Sequence, residues 1–131
     1  MRERKTPVPF SPSILVVDDD EEERRGFRRP LQELGYLVIE AATGREAENV
    51  VRERFFDLMI LDLSMPDEDG IELIRAIRTE LPRLQVLAVS GFMRGSFLHI
   101  AKKLGATSVL QKPVSEDMLI GEVSSLLASA F

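Results

Sequence analysis

The chain has 131 residues, the usual size of one domain, and 44% of them are apolar, too many for a disordered chain. It has no cysteine, which removes disulfides and thiolate metal sites and suits a reducing interior. A net charge of −5 and no apolar run near the ~20 residues of a membrane span set aside a basic nucleic-acid-binding surface and a membrane protein, so a soluble cytoplasmic protein is expected.

Residues 1–12 (MRERKTPVPFSP) hold three prolines, a short basic head of Arg2, Arg4 and Lys5, and no periodicity. They are expected to be a disordered or linker tail, with one domain over 13–129. Ile14-Leu15-Val16-Val17 reads as a buried strand. A helix is expected from Asp20 to Leu34, with acids at its start, Phe27, Leu31 and Leu34 on its inner face, and Gly35 as its stop. Pro30 inside it removes a backbone donor and crowds the carbonyl of Gly26, which predicts a bend or short break near residues 26–30.

The second strand is expected over Tyr36 to Glu40 and the second helix over Thr43 to about Arg54, with Thr43 as its N-cap. A strand over Leu58 to Asp62 precedes a helix over Gly70 to Leu81, with Ile74, Ile77 and Leu81 inward and Pro82 beyond. The fourth strand is Val86 to Ser90, and the fourth helix runs from about Gly95 to Leu104, with Phe97, Ala101 and Leu104 inward and Gly105 at its end. Ser108 to Gln111 is the fifth strand. Ser115 caps a last helix whose inner residues are Leu119, Val123, Leu126 and Leu127. Strict strand–helix alternation with apolar strands predicts an α/β fold, a doubly wound five-stranded parallel sheet covered on both faces.

Ligands of such sheets bind beyond the carboxyl ends of the strands. Strand one ends on Asp18-Asp19, strand three on Asp62, strand four on Ser90 and strand five on Lys112, followed by Pro113. Three carboxylates gathered on one rim repel one another, and a hard divalent cation with oxygen ligands, Mg²⁺, relieves that repulsion. A cation plus a lysine is what a transferring phosphoryl group needs, and an aspartate can be the nucleophile that takes it up. Ser90 could donate to one phosphoryl oxygen and Lys112 could pair with another.

The order of these residues resembles the receiver domain of two-component response regulators. The pieces that carry the likeness are ILVVDDD at 14–20, DLMILDLSMPDEDG at 57–70, VLAVSG at 86–91 and GATSVLQKPV at 105–114. The resemblance implies a (βα)5 flavodoxin-like sheet of strand order 2-1-3-4-5. It implies Asp62 as the phosphoacceptor and Asp19 and Asp62 as Mg²⁺-binding side chains. The Ser64 backbone carbonyl would be a further ligand, and Asp18 would act mainly through water. Ser90 matches the hydroxyl that closes on the phosphoryl group, Lys112 the site lysine, and Pro113 a proline after a cis peptide. Ser64 and Phe92 match positions that tune dephosphorylation.

The implied donor is a phosphohistidine on a histidine kinase or phosphotransfer protein. The implied output is an effector, with the face of helix four, strand five and helix five as one docking or homodimer surface. Val109 departs from the pattern, standing where the family usually has Tyr, Phe or His. That departure motivates an alternative, an interaction module that does not use phosphate. A haloacid-dehalogenase-like phosphatase would need a second aspartate two residues after the first, where this chain has Ser64. Such a domain is a signalling element rather than an enzyme with an external substrate. It occurs alone and also inside hybrid kinases and longer regulators.

Taken singly, each residue has a plainer reading: Asp18-Asp19 as a helix cap, Asp62 as a turn aspartate before Pro66, Ser90 as a turn residue, Lys112 as a surface lysine. Only their joint placement outweighs these. His99 is expected in solvent, the Glu21–Arg25 run on a solvated helix face, and Met59 and Met118 in the core.

Overall fold

The computed structural model describes residues 11–65, 69–91 and 95–130. Five strands alternate with five helices: β1 Ser13–Val17, α1 Glu21–Glu33, β2 Leu37–Ala41, α2 Gly44–Glu53, β3 Leu58–Asp62, α3 Asp69–Glu80, β4 Gln85–Ser90, α4 Gly95–Leu104, β5 Ser108–Gln111 and α5 Glu116–Ala130. The strands form one parallel sheet in the order β2-β1-β3-β4-β5, the doubly wound arrangement expected. Among the described residues no helix is long and apolar enough to cross a membrane.

The unbroken apolar runs of β1, β3 and β4 follow from burial on both faces. Successive side chains point to opposite sides, so each run feeds two cores. Ile14, Val16, Leu58, Ile60, Leu87 and Val89 face α1 and α5, where they meet Phe27, Leu31, Leu119, Val123, Leu126 and Leu127. Leu15, Val17, Met59, Leu61, Val86 and Ala88 face the other way, against Ala47, Val51, Leu73, Ile74, Ile77 and Ala101 of α2, α3 and α4.

Caps set the helix starts. Asp20 accepts from the amides of Glu22 and Glu23, Thr43 from Glu46, and Ser115 from Met118. Gly35 and Gly105 lie at positive φ, 96° and 132°, just beyond α1 and α4, as expected of helix stops. Residues 11 and 12, assigned above to the tail, already touch the fold: the Leu37 amide donates to the Pro12 carbonyl at 3.0 Å and the Ser11 hydroxyl to the Gly35 carbonyl at 3.3 Å.

Four expectations need correction. The break expected near residues 26–30 does not occur: α1 is continuous from Glu21 to Glu33 through Pro30, which is buried; Gly26 is exposed, where water can serve the carbonyl that Pro30 leaves without a donor. Leu34 is 51% exposed because it is the C-cap of α1, past the last turn that packs on the sheet. Met118 is 46% exposed because it sits one residue, about 100° of helix, before the buried Leu119. The Glu21–Arg25 run is solvated at Glu21, Glu22 and Arg25, but Glu23 and Arg24 are half-buried. His99 is exposed and Met59 is buried, as expected. Pro66, Phe92 and the Phe97 side chain fall outside the described residues.

Arg78 of α3 fastens the end of the sheet opposite the acids. Its guanidinium donates to the carbonyls of Gly105 at 2.7 Å, Pro82 at 2.7 Å and Leu84 at 2.8 Å. A Cβ at residue 105 would meet Arg78 Nε at 2.8 Å and Cγ at 2.9 Å, so glycine there answers both the positive φ and this close approach. Arg78→Ala is expected to destabilise the fold by roughly 2–3 kcal/mol in urea unfolding, the scale of several hydrogen bonds to a charged group. Gly105→Ala is expected to cost about 1 kcal/mol or more.

Candidate functional site

The register of the sheet places the acids. Val17 of β1 pairs with Leu61 of β3, so Asp18 and Asp62 follow side by side at adjacent strand ends. β2 and β3 lie on opposite sides of β1, so the order in which strands are added reverses there, and the crevice of a doubly wound sheet opens between β1 and β3. Asp18 and Asp62 share the parity of Val16 and Ile60, and Lys112 that of Leu110. All three therefore project toward the α1 and α5 face.

Asp18 is fully buried and Asp62 is 3% exposed. Asp62 Oδ1 accepts from the Ser64 amide at 2.8 Å, and Oδ2 accepts from Lys112 Nζ at 3.2 Å. Lys112 Nζ also donates to Glu23 Oε1 at 2.9 Å. Asp18 Oδ1 accepts from the Asp20 amide at 2.9 Å, whereas its buried Oδ2 has no donor among the described residues. Carboxylate oxygens of Asp18, Glu23 and Asp62 all lie within 4.8 Å of one another.

The other expected residues surround this group. Ser90 is buried at the end of β4, and its carbonyl accepts from the Lys112 amide at 2.8 Å. The Ser64 hydroxyl accepts from the Gly91 amide at 3.2 Å, tying the loops after β3 and β4 together. The Lys112–Pro113 peptide is cis. Asp19 is exposed and outside the three-carboxylate group. Strand two lies at the edge of the sheet, and its Glu40 is held by Arg24 at 2.9 Å and by Arg28.

Glu23 is the site residue that sequence reasoning missed, because it was grouped with its charged neighbours. Its signal was its spacing: Glu23, Phe27 and Leu31 are four residues apart, so Glu23 extends the inner stripe of α1 onto the rim.

The charges respond to this crowding. Burial pushes the Asp18 carboxyl up to about 8, helped by its facing Glu23 and by repulsion from Asp62. A proton held on Asp18 can bond to Glu23, and that contact holds Glu23 below the usual carboxylate range. Burial likewise raises Asp62, against the opposing Ser64 amide and Lys112. Burial works to lower Lys112, but its bond to Glu23 and the charge of Asp62 outweigh it and raise the ammonium.

Among the described residues, three buried or half-buried acids against one ammonium leave an excess of negative charge. A hard cation with oxygen ligands fits this set, and the donorless Oδ2 of Asp18 is the atom such an ion would satisfy. A cleft of about 560 Å³ opens beside it, with Glu23, Phe27, Gly91, Lys112 and Pro113 among its walls. A cavity of similar size, about 570 Å³, lies at the other end of the sheet near Phe55 and Leu84, away from these acids.

Comparison with known proteins agrees with this geometry. The response regulator receiver domain family matches residues 14–124. The polar-differentiation response regulator DivK of Brucella ovis is 31% identical over 121 residues, 90% of this chain and 98% of that protein. The receiver domain of the Francisella response regulator 1452 superposes with a TM-score of 0.86 at 28% identity, over 92% of this chain and all of that one. The sensor kinase CckA of Brucella abortus is 33% identical over 127 residues, 95% of this chain but only 13% of that protein's length. The chain belongs to the response regulator receiver domain family. Domains of this family bind Mg²⁺ at an acidic pocket in the position of the Asp18, Glu23 and Asp62 group.

The raised Asp18 carboxyl sets a pH dependence. A group that titrates near 3.8 when unfolded and near 8 when folded contributes stability that is full below about pH 4 and is lost as pH rises through 8. In EDTA the melting temperature is therefore expected to fall between pH 6 and pH 9, and Asp18→Asn to flatten that fall. Mg²⁺ should raise the melting temperature more at pH 9 than at pH 6, because proton and metal compete for the same oxygens. A metal-free melting temperature that rises with pH over this window would contradict the assignment.

Proposed function

We propose that this receiver domain takes up a phosphoryl group on Asp62 in a Mg²⁺-dependent reaction, from a phosphohistidine of a sensor kinase or phosphotransfer protein, and thereby switches a partner-binding surface. One observation carries the reading: Asp62 is a nearly fully buried strand-end carboxylate whose Oδ2 lies 3.2 Å from Lys112 Nζ, at the rim where Asp18 supplies a further buried carboxylate. The buried strand holds the nucleophile on a rigid element, and the lysine offers a fixed positive charge to an incoming phosphoryl oxygen.

In the transfer, an Asp62 carboxylate oxygen attacks phosphorus as the bond to the donor imidazole breaks. The electron pair of that bond stays on the imidazole nitrogen, and an aspartyl phosphate results. Bound Mg²⁺ would neutralise phosphoryl charge during transfer, with the Asp18 and Asp62 carboxylates, Asp19 and the Ser64 carbonyl as its proposed holders. Lys112 would pair with one phosphoryl oxygen and the Ser90 hydroxyl would donate to another. Ser64, whose amide already holds Asp62 Oδ1, would fix the carboxylate during attack.

Ser90 and Lys112 stand at the ends of β4 and β5, which lead toward α4 and α5, so those elements would carry the change outward. Val109 of β5 is half-buried and packed against the core, and as a valine it has no ring to reorient. The output would then depend on the Ser90 and Lys112 ends themselves. A homodimer and a separate effector are both partners that such a surface could serve. The reading places the domain in the cytoplasm with its kinase, as a signalling element that acts on its own phosphorylation state.

Incubation with acetyl phosphate and Mg²⁺ is expected to add one phosphoryl group, read by intact mass. The adduct should be missing in Asp62→Asn and in EDTA, and strongly reduced in Lys112→Ala. A folded, Mg²⁺-binding wild type that takes no phosphoryl group from acetyl phosphate or from a phosphohistidine protein would overturn the proposal in favour of an interaction module.

A further inference from the structure

Lys112 is shared. Its ammonium is closer to Glu23, at 2.9 Å, than to Asp62, at 3.2 Å. Glu23 comes from α1, outside the strand ends that supply the other groups, and its side chain is 32% exposed, against 3% for Asp62. The lysine thus has one partner fixed in the sheet and a second on a helix side chain with room to move. A phosphoryl group arriving on Asp62 brings oxygens that need this ammonium, into a space that Glu23 already makes negative.

We infer that Glu23 is a positioning residue that competes with the phosphoryl group for Lys112, so that the unphosphorylated state is held by the Glu23–Lys112 pair and phosphorylation must displace it. This rests on the proposal that Asp62 is the phosphoacceptor. Three features of the geometry support it. Glu23 Oε1 is within hydrogen-bonding distance of the ammonium. Its carboxylate also faces Asp18 and Asp62 within 4.8 Å, so its charge opposes a second anion there. The cleft beside it leaves space for the side chain to turn away once the lysine is taken, since Glu23, Gly26 and Lys112 all line that opening. Glu23 would therefore weaken binding of any anion on Asp62 and favour the resting state, without taking part in the transfer itself.

The test is binding of beryllofluoride, a phosphoryl mimic, followed by ¹⁹F NMR in wild type, Glu23→Gln and Glu23→Asp. Each is held at Mg²⁺ saturation established by its own calorimetric titration, with thermal melting as the check of folding. Glu23→Gln keeps the shape and loses the charge; it is expected to bind beryllofluoride about three- to tenfold more tightly than wild type, the scale of a partly exposed charged hydrogen bond. Glu23→Asp keeps the charge and should stay closer to wild type than Glu23→Gln does. A merely structural role would move melting and leave the beryllofluoride affinity the same in all three proteins. Equal or weaker beryllofluoride binding by a folded, Mg²⁺-saturated Glu23→Gln would overturn the inference, and a loss of binding would make Glu23 a required cation ligand instead. If wild type itself binds no beryllofluoride while binding Mg²⁺, the phosphoacceptor reading fails and this inference falls with it.

Discussion

The constraint on which the structure turns is the burial of like charge. Asp18 and Asp62 are almost wholly withdrawn from water at neighbouring strand ends, and Glu23 is brought against them from α1. Such an arrangement opposes folding unless a counter-charge is present. Lys112 supplies part of it, and burial, which pushes the Asp18 carboxyl up to about 8, relieves more, but Glu23 and Asp62 still face a single ammonium. The same imbalance suits the site to a divalent cation, so in the proposed function an unfavourable feature of the fold would become the basis of its chemistry.

The rest of the fold supplies the rigidity that this requires. β1, β3 and β4 are anchored by cores on both faces, so the carboxylates cannot separate by bending the sheet. The loops that close the site are tied to each other through Ser64 and Gly91, and the lysine enters from β5 with its amide on Ser90. Lys112 lies between two acids, and the half-buried Glu23 stands at the edge of the cleft.

Much of this was legible in the sequence, for identifiable reasons. Apolar runs that end on Asp18, Asp62 and Ser90 specify both a buried strand and the residue at its carboxyl end. Asp20, Thr43, Ser115, Gly35 and Gly105 mark helix ends because their chemistry fits few other places. What could not be read were properties set by three-dimensional neighbours. Pro30 signals a break by local rules, yet the buried ring sits within a continuous α1. Met118 differs from Leu119 only by one step around the helix. Glu23 lies in a run of acids, and only its four-residue spacing from Phe27 separates it from the solvated ones. Asp18 and Asp19 are alike in sequence, but the end of β1 buries the first and exposes the second.

The most direct test of the account is a crystal structure of the domain grown with Mg²⁺ and beryllofluoride. The account predicts the metal against the Asp18 and Asp62 carboxylates, the beryllofluoride on an Asp62 oxygen, and Lys112 Nζ on a fluorine rather than on Glu23. Beryllofluoride bound elsewhere, or a metal seated away from Asp18 and Asp62 with the Glu23–Lys112–Asp62 contacts unchanged, would contradict it.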